Sequence, residues 1–229
     1  MQSAATTLAL AYTAAAASGS SSSSPPSLRA RTPALTSTTP RPIPNSYWAT
    51  PLLLACEYPY TPSLCRTTLQ KLDLILQAGI RTFIDLTEVG ELSPYAPKLN
   101  QSVARLGIDP SEVEYHNFAI PDRTVPANPS FVAGIMSVLA DNERRGRKTA
   151  VHCRGGIGRT GTVVGCWLVE SGIAKDGPEA LVIIAREWQT VEKCKRYPMS
   201  PETGGQCEFV RNFAPLLHHA LQRATMQAV

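Results

Sequence analysis

The first 56 residues contain no aspartate or glutamate, and only Arg29, Arg31 and Arg41 carry charge there. Alanine, serine, threonine and proline fill the stretch, with Ser20 to Ser24 in one unbroken run. Such a composition buries too little apolar surface to offset the entropy of ordering the chain. Residues 1–45 are therefore expected to be a disordered, low-complexity tail. Residues 46–229 are expected to be a single domain, long enough for a packed core. An acid-free, Ser- and Ala-rich start with scattered arginine also fits an organelle transit peptide. A cytoplasmic location is expected, with an organelle such as a plastid as the alternative if the tail is such a peptide.

Paired cysteines are missing as well. The six cysteines, at positions 56, 65, 153, 166, 194 and 207, include no Cys-x-x-Cys, and the four histidines offer no ligand cluster. This argues against a disulfide scaffold and a zinc site, leaves no metal or cofactor expected, and makes a reducing compartment the default. No apolar run approaches the roughly 20 residues of a membrane-spanning helix, so no membrane association is expected. Charge of one sign is also lacking in the folded part. Three of the 22 basic residues lie in the tail, which leaves 19 against 18 acidic residues from Glu57 onward. That balance argues against a nucleic-acid-binding face. The one dense basic run, residues 144–148, is expected to be a solvated loop.

What the chain does contain is an alternation of strand-like and helix-like runs. Residues 47–56 read as one opening strand, ended by Pro59 and Pro62. Leucines at 69, 72 and 76 predict a helix with Gly79 as its C-cap. Residues 81–87 predict a strand, 91–97 a proline-broken variable loop, and 112–120 an alternating strand. A helix is expected over 131–139, a buried strand over 148–152, and helices over 162–170, near 179–188 and over 207–221. Alternation of this kind predicts an α/β fold with a single central, mostly parallel sheet flanked by helices on both faces. Ligands of such sheets bind beyond the carboxyl ends of the strands.

One such end carries the chemistry. His152, Cys153, Arg154, Gly155, Gly156, Ile157, Gly158, Arg159, Thr160, Gly161 and Thr162 follow one another between a predicted strand and a predicted helix. The glycines let successive backbone N–H groups turn inward, and the helix start adds partial positive charge, so the turn is an anion cradle. A sulfur inside it, beside a guanidinium, is suited to carry negative charge and to attack a phosphorus atom held by the same donors. Phosphoryl transfer to sulfur also needs a proton donor for the leaving oxygen. Asp122, on a Pro-flanked loop 31 residues before Cys153, is the candidate.

The run His-Cys-x-x-Gly-x-x-Arg-Thr-Gly resembles the signature of the cysteine-dependent protein tyrosine and dual-specificity phosphatases. Gly155 to Gly158 look most like the loop of the cyclin-dependent-kinase-associated and mitotic-exit members. The resemblance is tight from Val151 to Leu168, moderate from Phe118 to Pro126 and loose elsewhere. It implies that residues 46–229 are a phosphatase catalytic domain of the dual-specificity type. Cys153 would be the nucleophile, Arg159 the phosphate clamp, and Asp122 the general acid, with Pro126 fitting the family's following proline. The loop's commoner Trp-Pro-Asp stands here as Ile-Pro-Asp. By the same resemblance Thr160 would donate to the sulfur, His152 would order the loop, and residues 154–159 would bind phosphate. Gln206, in a Pro-Glu-Thr-x-x-Gln stretch, would position water, although a helix-capping pattern explains it equally well. Asp85 is weighed as a rim residue against a plain strand-end turn residue, and Cys166 as a resolving thiol against a buried helix cysteine.

The expected reaction is hydrolysis of phosphotyrosine, phosphoserine or phosphothreonine in proteins through a cysteinyl-phosphate. Family members that act on inositol lipids tend to carry basic residues inside the loop, whereas this interior holds Ile157. The alternatives are a catalytically weak phosphoprotein-binding module and a phosphatase for a non-protein substrate such as a phosphoinositide. A phosphoprotein is the expected partner, and the domain is expected to be a monomer.

Overall fold

The computed structural model describes residues 39–60, 62 and 67–216. The expected tail up to residue 38, Cys65 and residues 217–221 of the last expected helix lie outside the described residues. The opening segment is a hairpin rather than one strand. Strand β1, Ser46–Thr50, pairs antiparallel with β2, Leu53–Cys56. Thr50 Oγ1 accepts from the N–H groups of Leu52 and Leu53, which closes the reversal at Pro51, a residue with no N–H of its own.

Helix α1, Thr67–Gln77, ends at Gly79 with φ +90°, and β3 follows at Ile80–Asp85. Helix α2, Ala96–Arg105, starts inside the segment expected to be a loop. Pro97 stands in its first turn, where a missing N–H costs nothing, so a residue read as a breaker is a starter. Its inward face holds only Leu99, Ser102 and Val103, too short a stripe to register as a helical period. Strand β4 is short, Glu114–Asn117, because Glu112 closes a 3₁₀ turn before it. Beyond the strand, the N–H groups of Phe118 and Ile120 still bond to Asp85 O and Leu86 O. Helix α3 is Pro129–Arg144, capped by Asn128, and β5 is Lys148–His152. Then come α4, Gly158–Glu170, α5, Gly177–Trp188, and α6, Gly204–Arg211. Helix α6 starts earlier than its apolar pattern predicts because Thr203 and Gln206 form a capping box.

The five strands form one sheet in the order β1-β2-β5-β3-β4, parallel except for the β1 edge. Both faces are covered. Leu53, Ala55, Ile84 and Val151 pack into a core with α3, α4 and α5. Their neighbours Leu54, Cys56, Phe83 and Ala150 point the other way, into a core with α1 and α2. The sheet is the expected one.

The basic run 144–148 is paired, not free. Arg144 meets Asp141, Arg145 meets Asp141 and Glu114, and Arg147 meets Glu114, while Lys148 lies 5.3 Å from the centre of the Trp48 ring. Register does the remaining work. Cys56 and Asp85 both stand beside His152, and Asn117 stands beside Asp85. Four parallel strands therefore end level, and the loops leaving them meet at one edge.

Candidate active site

The chain leaves β5 at His152 and re-enters helix at Gly158, so Cys153 to Ile157 form the turn. Gly156 has φ +73°, and a Cβ there would lie 2.6 Å from Cys56 C and O and 2.7 Å from Glu57 N. Only glycine fits this approach of loop to β2. The carbonyls of the turn are claimed from outside: Arg154 O by Tyr58 N at 3.2 Å, Gly155 O by Lys193 Nζ at 3.4 Å, and Ile157 O by Ser200 Oγ at 2.9 Å. Three of the five carbonyls of the turn are thus held by residues outside it. Among the described residues the amides of Arg154 to Ile157 donate to no protein acceptor. Cys153 lies at the floor, 4% exposed, in a cleft of about 390 Å³ that Asp122, Arg159 and Gln206 also line.

Arg159 is 1% exposed and almost fully bonded. Its Nη1 donates to Leu86 O at 3.3 Å, Ile120 O at 3.0 Å and Glu91 Oε2 at 2.7 Å. Its Nη2 donates to Glu91 Oε1 at 2.7 Å and meets Asp122 Oδ1 at 2.9 Å. The planar fork expected to hold two phosphate oxygens is thus occupied by Glu91, and the buried Nε has no partner among the described residues. Burial works against the guanidinium's charge, but Glu91, Cys153 and Asp122 outweigh it and raise its pKa. In return the Arg159 hydrogen bonds hold the Glu91 carboxyl below its ordinary range, despite burial. Glu91 belongs to the stretch expected to be a variable loop, and it is a site residue that sequence reasoning missed. The available signal was an acid in the loop after β3, at the edge where the strands end.

Asp122 arrives on the loop after β4. Pro121 O accepts from Thr124 N at 3.1 Å and Thr124 Oγ1 at 2.8 Å, which makes a tight turn. Arg123 completes it at φ +62°, a left-handed conformation that costs a non-glycine residue about 1 kcal/mol. Gln206 holds the turn down: its Nε2 donates to Thr124 O at 2.9 Å, while its Oε1 accepts from Glu202 N and Thr203 N. Gln206 also abuts Gly158, where a Cβ would stand 2.7 Å from Oε1. These bonds make Gln206 a clamp between the acid loop and the cradle, rather than the free amide that water positioning calls for. Pro126 faces away, into a separate groove beside Phe209 and Phe213.

The remaining candidates divide. His152 is fully buried; its Nε2 is 2.7 Å from the Tyr95 hydroxyl, and its Nδ1 is 3.8 Å from Asp85 Oδ1. Burial brings its pKa down to about 4 against the pull of Asp85, so it is neutral at pH 7. Among the described residues Thr160 Oγ1 is buried without a hydrogen-bond partner, so the expected bond to the cysteine sulfur is not seen. Asp85 behaves as a strand-end turn residue: Oδ1 accepts from Thr87 N and Oγ1, and Oδ2 from the Tyr115 hydroxyl. Cys166 stands on α4 itself and points into the core, where burial pushes its thiol pKa far up. Lys193, Arg196 and Tyr197, which sequence reasoning passed over, line the cleft from the 3₁₀ turn Glu192–Lys195 and the residues after it.

Residues 45–214 match the family model described as "PTP-SAK: Swiss Army Knife protein, DSP-PTPase phosphatase domain". The mouse "Protein tyrosine phosphatase domain-containing protein 1" is 28% identical over 176 residues, covering 75% of this chain and 22% of that protein. The chain thus spans about a fifth of the length of the curated relatives it matches. Among solved structures, Tk-PTP in its active form has a TM-score of 0.56 at 24% identity, over 74% of this chain and 96% of that one. The kinase associated phosphatase with serine at its catalytic-site cysteine gives 0.55 at 20%, over 74% and 92%. At these identities the two structures speak for the fold.

Proposed function

The chain belongs to the dual-specificity and tyrosine phosphatase domain family and is a phosphatase, and from that premise we propose that it removes phosphate from phosphotyrosine, phosphoserine or phosphothreonine of proteins, with Cys153 as nucleophile. One observation carries the assignment of roles. A buried sulfur, unbonded loop amides, a guanidinium with a free Nε, and an aspartate share a single cleft.

The scissile phosphate enters with its equatorial oxygens on the amides of Arg154 to Arg159 and on the Nε edge of Arg159. Because Glu91 holds the Nη1–Nη2 fork, the phosphate competes with Asp122 for Nη2 alone. Exchange at that nitrogen releases the Asp122 carboxylate, which takes a proton from solvent and turns toward the leaving oxygen. Cys153 Sγ attacks phosphorus, the S–P bond forms as the P–O bond breaks, and Asp122 gives its proton to the departing oxygen. Water then attacks the cysteinyl-phosphate, Asp122 takes its proton, and phosphate leaves with the sulfur restored as thiolate. The fixed amides and Arg159 meet the charge that builds in both transition states, without solvent reorganisation. Ile157, apolar and packed at the loop interior, supports a single phosphate on a side chain rather than a ring bearing several.

The test is turnover of p-nitrophenyl phosphate and of a panel of phosphopeptides and phosphoinositides. Cys153→Ser should fall to background on all of them, and surviving turnover would sink the mechanism. Asp122→Asn should lose about 10²-fold or more in kcat toward a phosphoserine peptide, a poor leaving group, and much less toward p-nitrophenyl phosphate. An equal loss on both would remove Asp122 as the acid. Turnover of phosphoinositides but not of phosphopeptides would replace the protein substrate with a lipid.

A further inference from the structure

We propose that Ser200, which stands outside the cleft, is a positioning residue for the reaction: its hydroxyl holds the Ile157 carbonyl and thereby aims the Gly158 N–H at the phosphate. The role deepens the cysteine mechanism above and rests on it. Ser200 Oγ donates to Ile157 O at 2.9 Å from a residue that is 6% exposed. A peptide unit is planar and trans, so its C=O and the following N–H point in opposite directions. With the Ile157 carbonyl turned toward Ser200, the Gly158 N–H is turned away from it. Gly158 lines the cleft that holds Cys153, and Ser200 does not. Among the described residues the N–H groups of Gly158 and Arg159 donate to no protein acceptor.

The start of α4 needs support that the loop itself does not give. Its N-cap position is Ile157, whose side chain cannot bond the first amides. Glycines at 158 and 161 weaken the first turn further. Inside that turn Gly161 N donates to Ile157 O at 2.9 Å, so the carbonyl carries one helical bond besides the one from Ser200. A Ser, Thr, Asp or Asn cap would steady the turn by accepting from its N–H groups. It would thereby occupy the donors that a phosphate needs. A donor on the carbonyl side steadies the same peptide and leaves those N–H groups open.

The surroundings are shaped to this contact. A Cβ on Gly161 would lie 2.5 Å from Ser200 Oγ and 3.1 Å from Pro201 N. Gly161 has no positive φ, so its backbone does not call for glycine; the room that Ser200 takes does. The segment that carries Ser200 is itself fixed on both sides. Trp188 Nε1 donates to Tyr197 O at 2.7 Å, and Gln206 Oε1 accepts from Glu202 N and Thr203 N. A support set before the phosphate arrives needs no rearrangement as charge builds in the transition state. The same stretch leads into Gln206, whose Nε2 holds the acid loop at Thr124 O. One segment thus steadies both the last amides of the cradle and the loop of the acid.

The experiment is steady-state turnover of p-nitrophenyl phosphate, with inhibition by orthovanadate, whose five-coordinate geometry resembles the phosphoryl group in transfer. The full chain, Ser200→Ala, Ser200→Cys and Cys153→Ser are compared, and a thermal melt of each shows that it is folded. Ser200→Ala should lower kcat about tenfold with KM within about twofold of wild type. The vanadate Ki should rise about tenfold in step, because the misaimed amide serves the charge of the transition state more than that of bound substrate. Ser200→Cys, close in size but a weak donor, should fall between the two, and it decides on the same readings if Ser200→Ala does not fold. Wild-type kcat and vanadate Ki in a folded variant would overturn the role. A fall in kcat with the vanadate Ki unchanged would overturn it too, since that marks fewer folded molecules rather than a misaimed amide. Turnover that survives in Cys153→Ser would remove the mechanism on which the role rests. An inactive Cys153→Ser beside a wild-type-like Ser200→Ala would remove the positioning role alone.

Discussion

The cradle and its rim are built in opposite ways. The cradle is eleven consecutive residues, His152 to Thr162, shaped by a strand end, a glycine at φ +73° and the first turn of a helix. The rim comes from four separate places: Glu91 after β3, Asp122 and Arg123 after β4, residues 193–197 after α5, and Gln206 in α6. Local chain geometry shapes the cradle, which is steadied from outside at three carbonyls. The rim depends more on distant partners: Glu91 and Asp122 meet Arg159, Lys193 meets Glu57, and Gln206 bonds to Thr124. The comparison teaches that charge in the cradle is set by the rim. Arg159 is supplied by the loop, yet its orientation and free edge are decided by Glu91 and Asp122.

The sharpest way to break that view is Glu91→Gln. The variant leaves the buried Arg159 facing an amide where it faced a carboxylate, with Asp122 still beside it, and weakening a charged hydrogen bond of this kind costs about 1–3 kcal/mol. The loss should appear as lower stability in chemical denaturation. It should also appear as a fall of about 10²-fold in kcat/KM, since the fork is then free to turn and the Nε edge loses its aim. A cradle that shapes itself would keep wild-type kcat/KM in this variant. Glu91→Asp, with the charge retained on a shorter arm, should fall between the two.

A second test acts on the cradle from below. His152 stays neutral in the folded protein down to about pH 4, because burial disfavours its charge, whereas in the unfolded chain it binds a proton near pH 6.5. Between those values the unfolded state holds the extra proton. Stability from this group is therefore complete above about pH 6.5 and is lost as the pH falls toward 4, by at most about 3 kcal/mol. Roughly 2 kcal/mol of it should go between pH 6.5 and 5. Denaturant unfolding of wild type and His152→Gln at both pH values checks this, and equal slopes with pH would show that His152 is not the group responsible. Tyr95, whose own pKa burial raises well above the ordinary value, remains a phenol throughout and keeps its 2.7 Å bond to the ring.

The same contrast explains what could be read in advance. The alternating sheet, the loop strand over 148–152 and the cysteine and arginine of the cradle follow from contiguous pattern, and all lie where expected. The place of Asp122 at the cleft was legible because its loop leaves a strand end and is marked by prolines. Glu91 was not, because its meaning depends on Arg159, 68 residues further on, and a glutamate beside a glycine and prolines reads as an ordinary loop. Helix α2 was hidden by Pro97 for a related reason: a proline ends a helix or begins one according to which side the helix lies. The hairpin of β1 and β2 was hidden by two adjacent apolar runs that share one turn residue, Thr50. For Thr160, the family pattern implied a partner that the first turn of α4 does not supply.

The smallest effect on turnover should come from Gln206→Leu, and it separates clamping from water positioning. The substitution is close in volume and removes one bond to the acid loop, Nε2 to Thr124 O, along with the two bonds that Oε1 accepts at the start of α6. Each such bond is worth about 1 kcal/mol net, and the α6 share should appear as lost stability alone. The Thr124 share belongs to the loop that carries Asp122. Loosening it should lower kcat about fivefold on a phosphoserine peptide, where the acid is needed, and hardly at all on p-nitrophenyl phosphate. A residue that places water would instead slow breakdown of the cysteinyl-phosphate, giving a burst of p-nitrophenol followed by a slow steady state. Pre-steady-state release of p-nitrophenol distinguishes the two. A burst in Gln206→Leu and none in wild type would return Gln206 to the water, whereas its absence, with the leaving-group dependence present, keeps Gln206 as the bond that holds the acid loop over the cradle.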